Sequence, residues 1–273
     1  FGFYVLTGGG AVVLVSRFDM LLIEHYLDLK QVAYYGLAFF IGSVIKVPSR
    51  SISSISSPLI AKSFEEDNKN NIQNIYSKTS INLLIIGGVI FLCVMLNIDD
   101  ILQILPEKFS HGKYVVLFIG SAQLVNLVAG LHGLILIHSS YYKSIIYFNI
   151  FLFIVTFITN VIFIPKFGIN GAALATFVSI LTFNSVRMLY VYKKMNFHPF
   201  SIKTAIALLM ILVIYFLISI LPLSSASLIS SIINIIIRCV IACSLVIAVV
   251  QYFKLSEDIS HIIHNSMEKL RRK

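Results

Sequence analysis

The sequence predicts an all-α polytopic membrane protein with eight transmembrane helices, on the strength of three observations. Eight apolar stretches, at 4–25, 32–61, 79–97, 114–138, 144–164, 169–192, 202–222 and 232–253, each approach or exceed the roughly 20 helical residues needed to cross a hydrocarbon core of about 30 Å. Hydrophobic residues make up 58% of the chain and charged residues 12%, with a mean hydropathy of +0.92; a soluble domain carries about 25% charge. The gaps between stretches stay under 20 residues, so no soluble domain fits between them.

The net charge of +9 would suit nucleic acid in a soluble protein, but here its placement carries the meaning. With alternate loops assigned to opposite faces, Lys62, Lys69, Lys78, Lys143, Lys193, Lys194, Lys203, Lys254, Lys269, Arg271, Arg272 and Lys273 put 12 cations on one side, against Lys30, Lys108, Lys113 and Lys166, four, on the other. Basic loops stay in the cytoplasm, so both chain ends are expected there, with no nucleic-acid partner. The chain opens on Phe1 without an initiator Met or a signal peptide, and reads as the back part of a longer protein. Cys93, Cys239 and Cys243 lack metal or redox spacing and read as small buried hydrophobes.

Along the chain, Gly8, Gly9 and Gly10 predict a bend in the first span, whose second half carries Arg17, Asp19 and the interfacial Glu24. The second span is too long: its 30 residues would measure about 45 Å as a straight helix. Pro48 and Pro58 account for the excess by predicting a kink near Pro48. Between them Ser49, Ser51, Ser53, Ser54, Ser56 and Ser57 are too polar for lipid and are expected to face a cavity or other helices. Ile72, Ile75 and Tyr76 predict a short interfacial helix in the following connection.

In the fourth span, Gly120, Gln123, Asn126, Gly130 and Gly133 form a small and polar stripe, the mark of close helix packing. Pro165 to Ala173 predicts a hairpin: Pro165 ends one helix, Gly168 turns the chain, and Gly171, Ala172 and Ala173 bring the next helix against the first. The last two spans, joined by an uncharged loop at 223–231, read as lipid-facing additions. In the tail, Ser256, Glu257 and Asp258 cap a helix whose apolar stripe, Ile259, Ile262, Ile263, Met267 and Leu270, and basic end suit an anionic membrane surface.

An ionisable group near mid-bilayer costs about 2.5–3.5 kcal/mol on insertion scales. Lys46 and Arg50, one helical turn apart beside the kink, therefore read either as a cationic site for an anionic headgroup or as structural charges paired with Asp19. Arg17 and Asp19 cannot share a helix face and read as charge partners or gating residues. Arg187 and Arg238, nearer span ends, are expected to reach lipid headgroups. His132 and His138 offer no metal or nucleophile–base arrangement, and the sequence shows no phosphate loop or catalytic set; no enzyme, metal or cofactor is expected.

Arg17-Phe18-Asp19, Val32-Ala33-Tyr34-Tyr35, Ile55 to Ala61 and above all the hairpin Ile164 to Ala173 resemble the second half of a polysaccharide flippase, one of the O-antigen and capsule repeat-unit flippases of the multidrug/oligosaccharidyl-lipid/polysaccharide exporter superfamily. The resemblance implies a two-lobe fold: residues 1–192 as a six-helix second lobe, 193–253 as two extra helices and 254–273 as the cytoplasmic tail. It further implies alternating-access transfer of undecaprenyl-pyrophosphate-linked oligosaccharide across the bacterial inner membrane. On that reading Lys46 and Arg50 hold the diphosphate, and a coupling ion, H+ or Na+, acts near Asp19. A multidrug/cation antiporter would want acidic residues in the cavity, whereas five span cations stand against Asp19 and Glu24. A membrane glycan polymerase or acyltransferase would want a larger outer loop than 98–113.

The charge asymmetry generates a direct test. In a chain whose three native cysteines are replaced by alanine, Ser225→Cys should react with an impermeant thiol reagent from outside the cell and Ser266→Cys only from the cytoplasm. The opposite pattern overturns the orientation.

Overall fold

A computed structural model describes residues 18–105, 112–220 and 228–261. Its elements are α1 (18–26), α2 (Leu29–Ser43), a 3-10 turn (Val44–Lys46), α3 (Pro48–Glu65), α4 (Lys69–Leu96), α5 (Ile98–Ile104), α6 (Lys113–Ala129), α7 (His132–His138), α8 (Ser144–Met195), α9 (Ile202–Ser219) and α10 (Leu228–Tyr252). Five helices or helix pairs are long and apolar enough to cross a membrane, and the bent pair α6–α7 makes six. The all-α polytopic class holds.

The 52-residue α8 is two crossings. Thr159 Oγ1 lies 2.9 Å from Ser179 Oγ, 20 residues further on, although a straight helix would separate them by about 30 Å. The reversal is at Gly168, with φ +60 and ψ −138, backbone angles that exclude a Cβ without strain. Beyond the turn a Cβ on Gly171 would overlap the carbonyl oxygen of Phe163, and Ala172, Ala173 and Ala175 are wholly buried. The predicted hairpin is present, built for close backbone approach. Seven of the eight expected spans therefore have a described helix; the first, 4–25, lies mostly outside the described residues, as do Gly8 to Gly10 and tail residues 262–273.

The second span runs as one 37-residue helical stretch, Leu29–Glu65, whose irregularity falls immediately before Pro48, where the sequence places the kink. Val44–Lys46 tightens into a 3-10 turn and Pro48 heads α3, a position where the missing N–H is harmless; Pro58 stays inside α3. The separate interfacial helix does not form. Asn68 Oδ1 accepts from Asn71 N at 3.0 Å, α4 runs unbroken from there, and Ile72 and Tyr76 are buried in its first turns against Ile60, Leu131 and Ile135. The connection between α4 and α6 also gains an element, α5, which carries a buried Asp100.

The fourth span departs most from expectation. It breaks at Gly130 (φ +63, ψ −135), and α7 leaves α6 at 47°. Carbonyls freed at such a break need protein donors in a bilayer, and they have them. Ser80 Oγ donates to Val128 O at 2.6 Å, Tyr76 Oη donates to Ala129 O at 3.0 Å, and His132 Nδ1 lies 3.2 Å from the same oxygen.

At the periphery α9 and α10 bury one face against α4 through Met210, Ile211, Ile214, Ala242, Val246 and Val250. They expose Leu209, Phe216, Ile229, Ile236 and Val240, as a lipid-facing pair would. Ser256 Oγ accepts from Ile259 N at 3.1 Å, so the expected tail cap is formed. Cys93, Cys239 and Cys243 are free and only half-buried.

The hairpin predicts its own sensitivity. Gly171→Val should destabilise the bundle by at least about 1–3 kcal/mol, read as a lower melting temperature in detergent, whereas Gly36→Ala, whose nearest neighbour would be Met20 Cε at 3.9 Å, should melt with the unmodified protein.

Candidate substrate cavity

Helices α1, α2, α3, α6, α7 and both arms of α8 surround a cavity of about 560 Å³, within the 300–1,000 Å³ range of ligand sites. Its wall is amphipathic. Phe39, Leu127, Leu134, Leu152 and Phe183 supply apolar surface, and the small and polar stripe read as packing in the fourth span turns Gln123, Asn126, Gly130 and Gly133 into the lining. Across it an amide chain runs from Asn184 Nδ2 to Asn126 Oδ1 (2.9 Å) and from Asn126 Nδ2 to Gln123 Oε1 (3.0 Å).

The serine helix contributes as its polarity demands. Ser49 and Ser53 line the cavity, Ser56 is buried, and Ser57 Oγ lies 3.0 Å from His138 Nε2. Ser51 and Ser54 fall on the other side of α3 and are exposed beside Ile55.

The four residues singled out as a charged site separate. Lys46 is exposed and lines the cavity, so it stands where the cavity opens. Arg50 is exposed but lies outside the lining. Asp19 lines the cavity and is buried, with no ion pair among the described residues. Its carboxylate instead accepts from Tyr35 Oη, from Met20 N at 3.0 Å and from Thr176 Oγ1 at 3.5 Å. Three donors on one buried carboxylate offset much of its desolvation. Arg17 lies outside the described residues.

Two expectations are overturned. Arg238 does not reach headgroups: its Nη1 donates to Asp100 Oδ2 at 2.7 Å and to Leu96 O at 3.0 Å, tying α10 to α4 and α5. The partner was hidden because Asp100 reads as a loop residue until α5 folds it inward. Arg187 does not snorkel either. It lines the cavity, its Cζ 4.9 Å from the Phe183 ring centroid and 5.7 Å from that of Phe148, close enough for cation–π attraction. Its Nε is buried without a hydrogen-bond partner, and it makes no ion pair among the described residues. The available signal was spacing: Phe183 precedes Arg187 by one turn and stacks on it, which holds the side chain inward. His132, set aside as uninformative, is a buried lining residue.

The described helices thus form a membrane-crossing bundle around an amphipathic cavity. The family model MatE matches residues 11–162, more than half of the chain, and the chain belongs to the MatE family. It is a membrane transporter of the MATE superfamily, whose members export drugs or polysaccharides. Neither the curated proteins nor the solved structures contained a match.

The buried ion pair carries a prediction. Arg238→Met removes the guanidinium from the buried Asp100 carboxylate and should cost about 3–5 kcal/mol, seen as a large fall in melting temperature; adding Asp100→Leu should recover most of it. A double variant no more stable than Arg238→Met would show that the pair is not what Asp100 requires.

Proposed function

We propose that the protein moves lipid-linked oligosaccharide repeat units, built on undecaprenyl pyrophosphate, across the bacterial inner membrane by alternating access. One observation carries the reading: two cations, Lys46 and Arg187, line the cavity against a single acid, Asp19, whose charge is already engaged by hydroxyl donors. Such a cavity suits an anionic ligand, because an incoming phosphate replaces the hydration that each cation lost. A cationic drug would meet repulsion from both. The amides of Gln123, Asn126 and Asn184 add neutral donors and acceptors of the kind that sugar hydroxyls bind.

In this proposal Lys46 receives the diphosphate at the cavity opening. Arg50, one turn further on a face that the described residues leave uncovered, draws the headgroup in or meets a second lobe. Residues 1–192 form one transport lobe, 193–253 an added helix pair and 254–273 a basic tail on cytoplasmic lipid. Asp19, with Tyr35 and Thr176 at hand, is the place for a coupling H+ or Na+ to bias the two access states, and Arg17 is its expected charge neighbour in sequence.

In cells that depend on this protein for surface glycan, Lys46→Ala and Arg50→Ala should each reduce glycan export at least tenfold at unchanged membrane abundance. Arg50→Lys should retain part of the activity, since charge matters more than fork geometry for a diphosphate. Normal export in both alanine variants, or acquired resistance to cationic dyes that depends on Asp19, would replace this reading with drug export.

A further inference from the structure

The two cavity cations stand in different settings: Lys46 is exposed where the cavity opens, whereas Arg187 lies against Phe148 and Phe183 with its Nε buried. Their backbones are spaced along α4, which meets the chain beside each of them at a different level. Ile45, next to Lys46, has its carbonyl oxygen 3.7 Å from where a Gly87 Cβ would lie. Near the other end, Tyr76 holds the carbonyl of Ala129, and Gly133, one turn of chain further, would place a Cβ 3.3 Å from Arg187 Nη2. Tyr76 and Gly87 are 11 residues apart, about 16 Å of helix. Thr176 and Arg187, also 11 residues apart on the second arm of α8, repeat that interval from Asp19 to Arg187.

Arg187 is also prepared in a way that Lys46 is not. Phe148 and Phe183 hold the guanidinium as a plane, and the absent Cβ of Gly133 leaves room for Nη2. A planar, fixed fork selects a planar or tetrahedral oxyanion with two acceptor oxygens. Between the two cations lies the amide chain Asn184, Asn126 and Gln123, which offers donors and acceptors without charge.

The geometry points to a cargo with two separated anionic groups: a lipid diphosphate at Lys46 and, at the far end of a short run of neutral hydroxyl-bearing sugar, an acidic sugar whose carboxylate or phosphate sits on Arg187. This rests on the glycan-transport reading and narrows its substrate class to acidic glycans. His132, adjacent to the fork and held by Ala129 O, is a positioning residue for the α7 backbone that faces Arg187.

The test is equilibrium binding to the full chain in lipid nanodiscs with four probes: inorganic pyrophosphate, a trisaccharide ending in glucuronate, the same trisaccharide bearing a phosphate monoester, and its neutral glucose counterpart. The unmodified protein should bind one or both acidic trisaccharides at least tenfold more tightly than the neutral one, and which of them wins tells carboxylate from phosphate. Arg187→Gln should abolish that preference, lowering affinity for the acidic probe at least tenfold more than for pyrophosphate. Arg187→Lys, which keeps the charge without the fork, should retain part of it and serves as the second variant if Arg187→Gln fails to fold. An acid preference that survives in Arg187→Gln, or an equal loss for every probe, overturns the inference and leaves Arg187 as a structural pin. Pyrophosphate binding without any acidic-sugar preference in the unmodified protein overturns it while the glycan reading stands. If no probe binds, both fall.

Discussion

In hydrocarbon no water is at hand to satisfy a carbonyl released from a helix, so every break in a spanning helix has to be paid for by donors from the protein itself. The Gly130 break meets that constraint. Ser80 and Tyr76 reach from α4 and His132 folds back from α7, so that Val128 and Ala129 keep partners while the helix turns by 47°. The bend opens the space between α6, α7 and α8 in which Arg187 lies.

The same constraint sorts the charges into two kinds. Arg238 and Asp100 neutralise each other at 2.7 Å and are not among the cavity-lining residues; they fasten α10 to α4 and α5. Arg187 has aromatic rings in place of a counter-ion, and Lys46 has an opening. Charges kept unpaired inside a membrane are functional by default, whereas a paired one is explained by its partner. Asp19 lies between these cases, its carboxylate accepting from two hydroxyls and the Met20 amide.

Backbone proximity is the second structural resource. Gly171 against Phe163 brings the two arms of α8 together closely enough for Thr159 and Ser179 to bond directly. That tight hairpin forms one wall of the cavity, and its second arm presents Thr176, Ser179, Asn184 and Arg187 to the interior. Small residues at a turn therefore set the position of polar residues as much as about four turns away.

Much of the architecture was legible in the chain. Span positions follow from hydropathy because the bilayer has one thickness. The α8 hairpin follows from Pro165, Gly168 and Gly171, since few residues tolerate its angles and contacts, and the inward serines of α3 follow from the cost of polarity in lipid. Lys46 and Asp19 were recognisable as unusual for the same energetic reason. What only the tertiary structure decided was the partner of each charge: Asp100 beside Arg238, Phe148 and Phe183 beside Arg187, Tyr35 and Thr176 on Asp19, and Arg50 left outside the cavity. Hydropathy measures how deep a residue sits along the bilayer normal, but direction around the normal depends on how helices pack and where they bend. A one-dimensional pattern does not contain that angle.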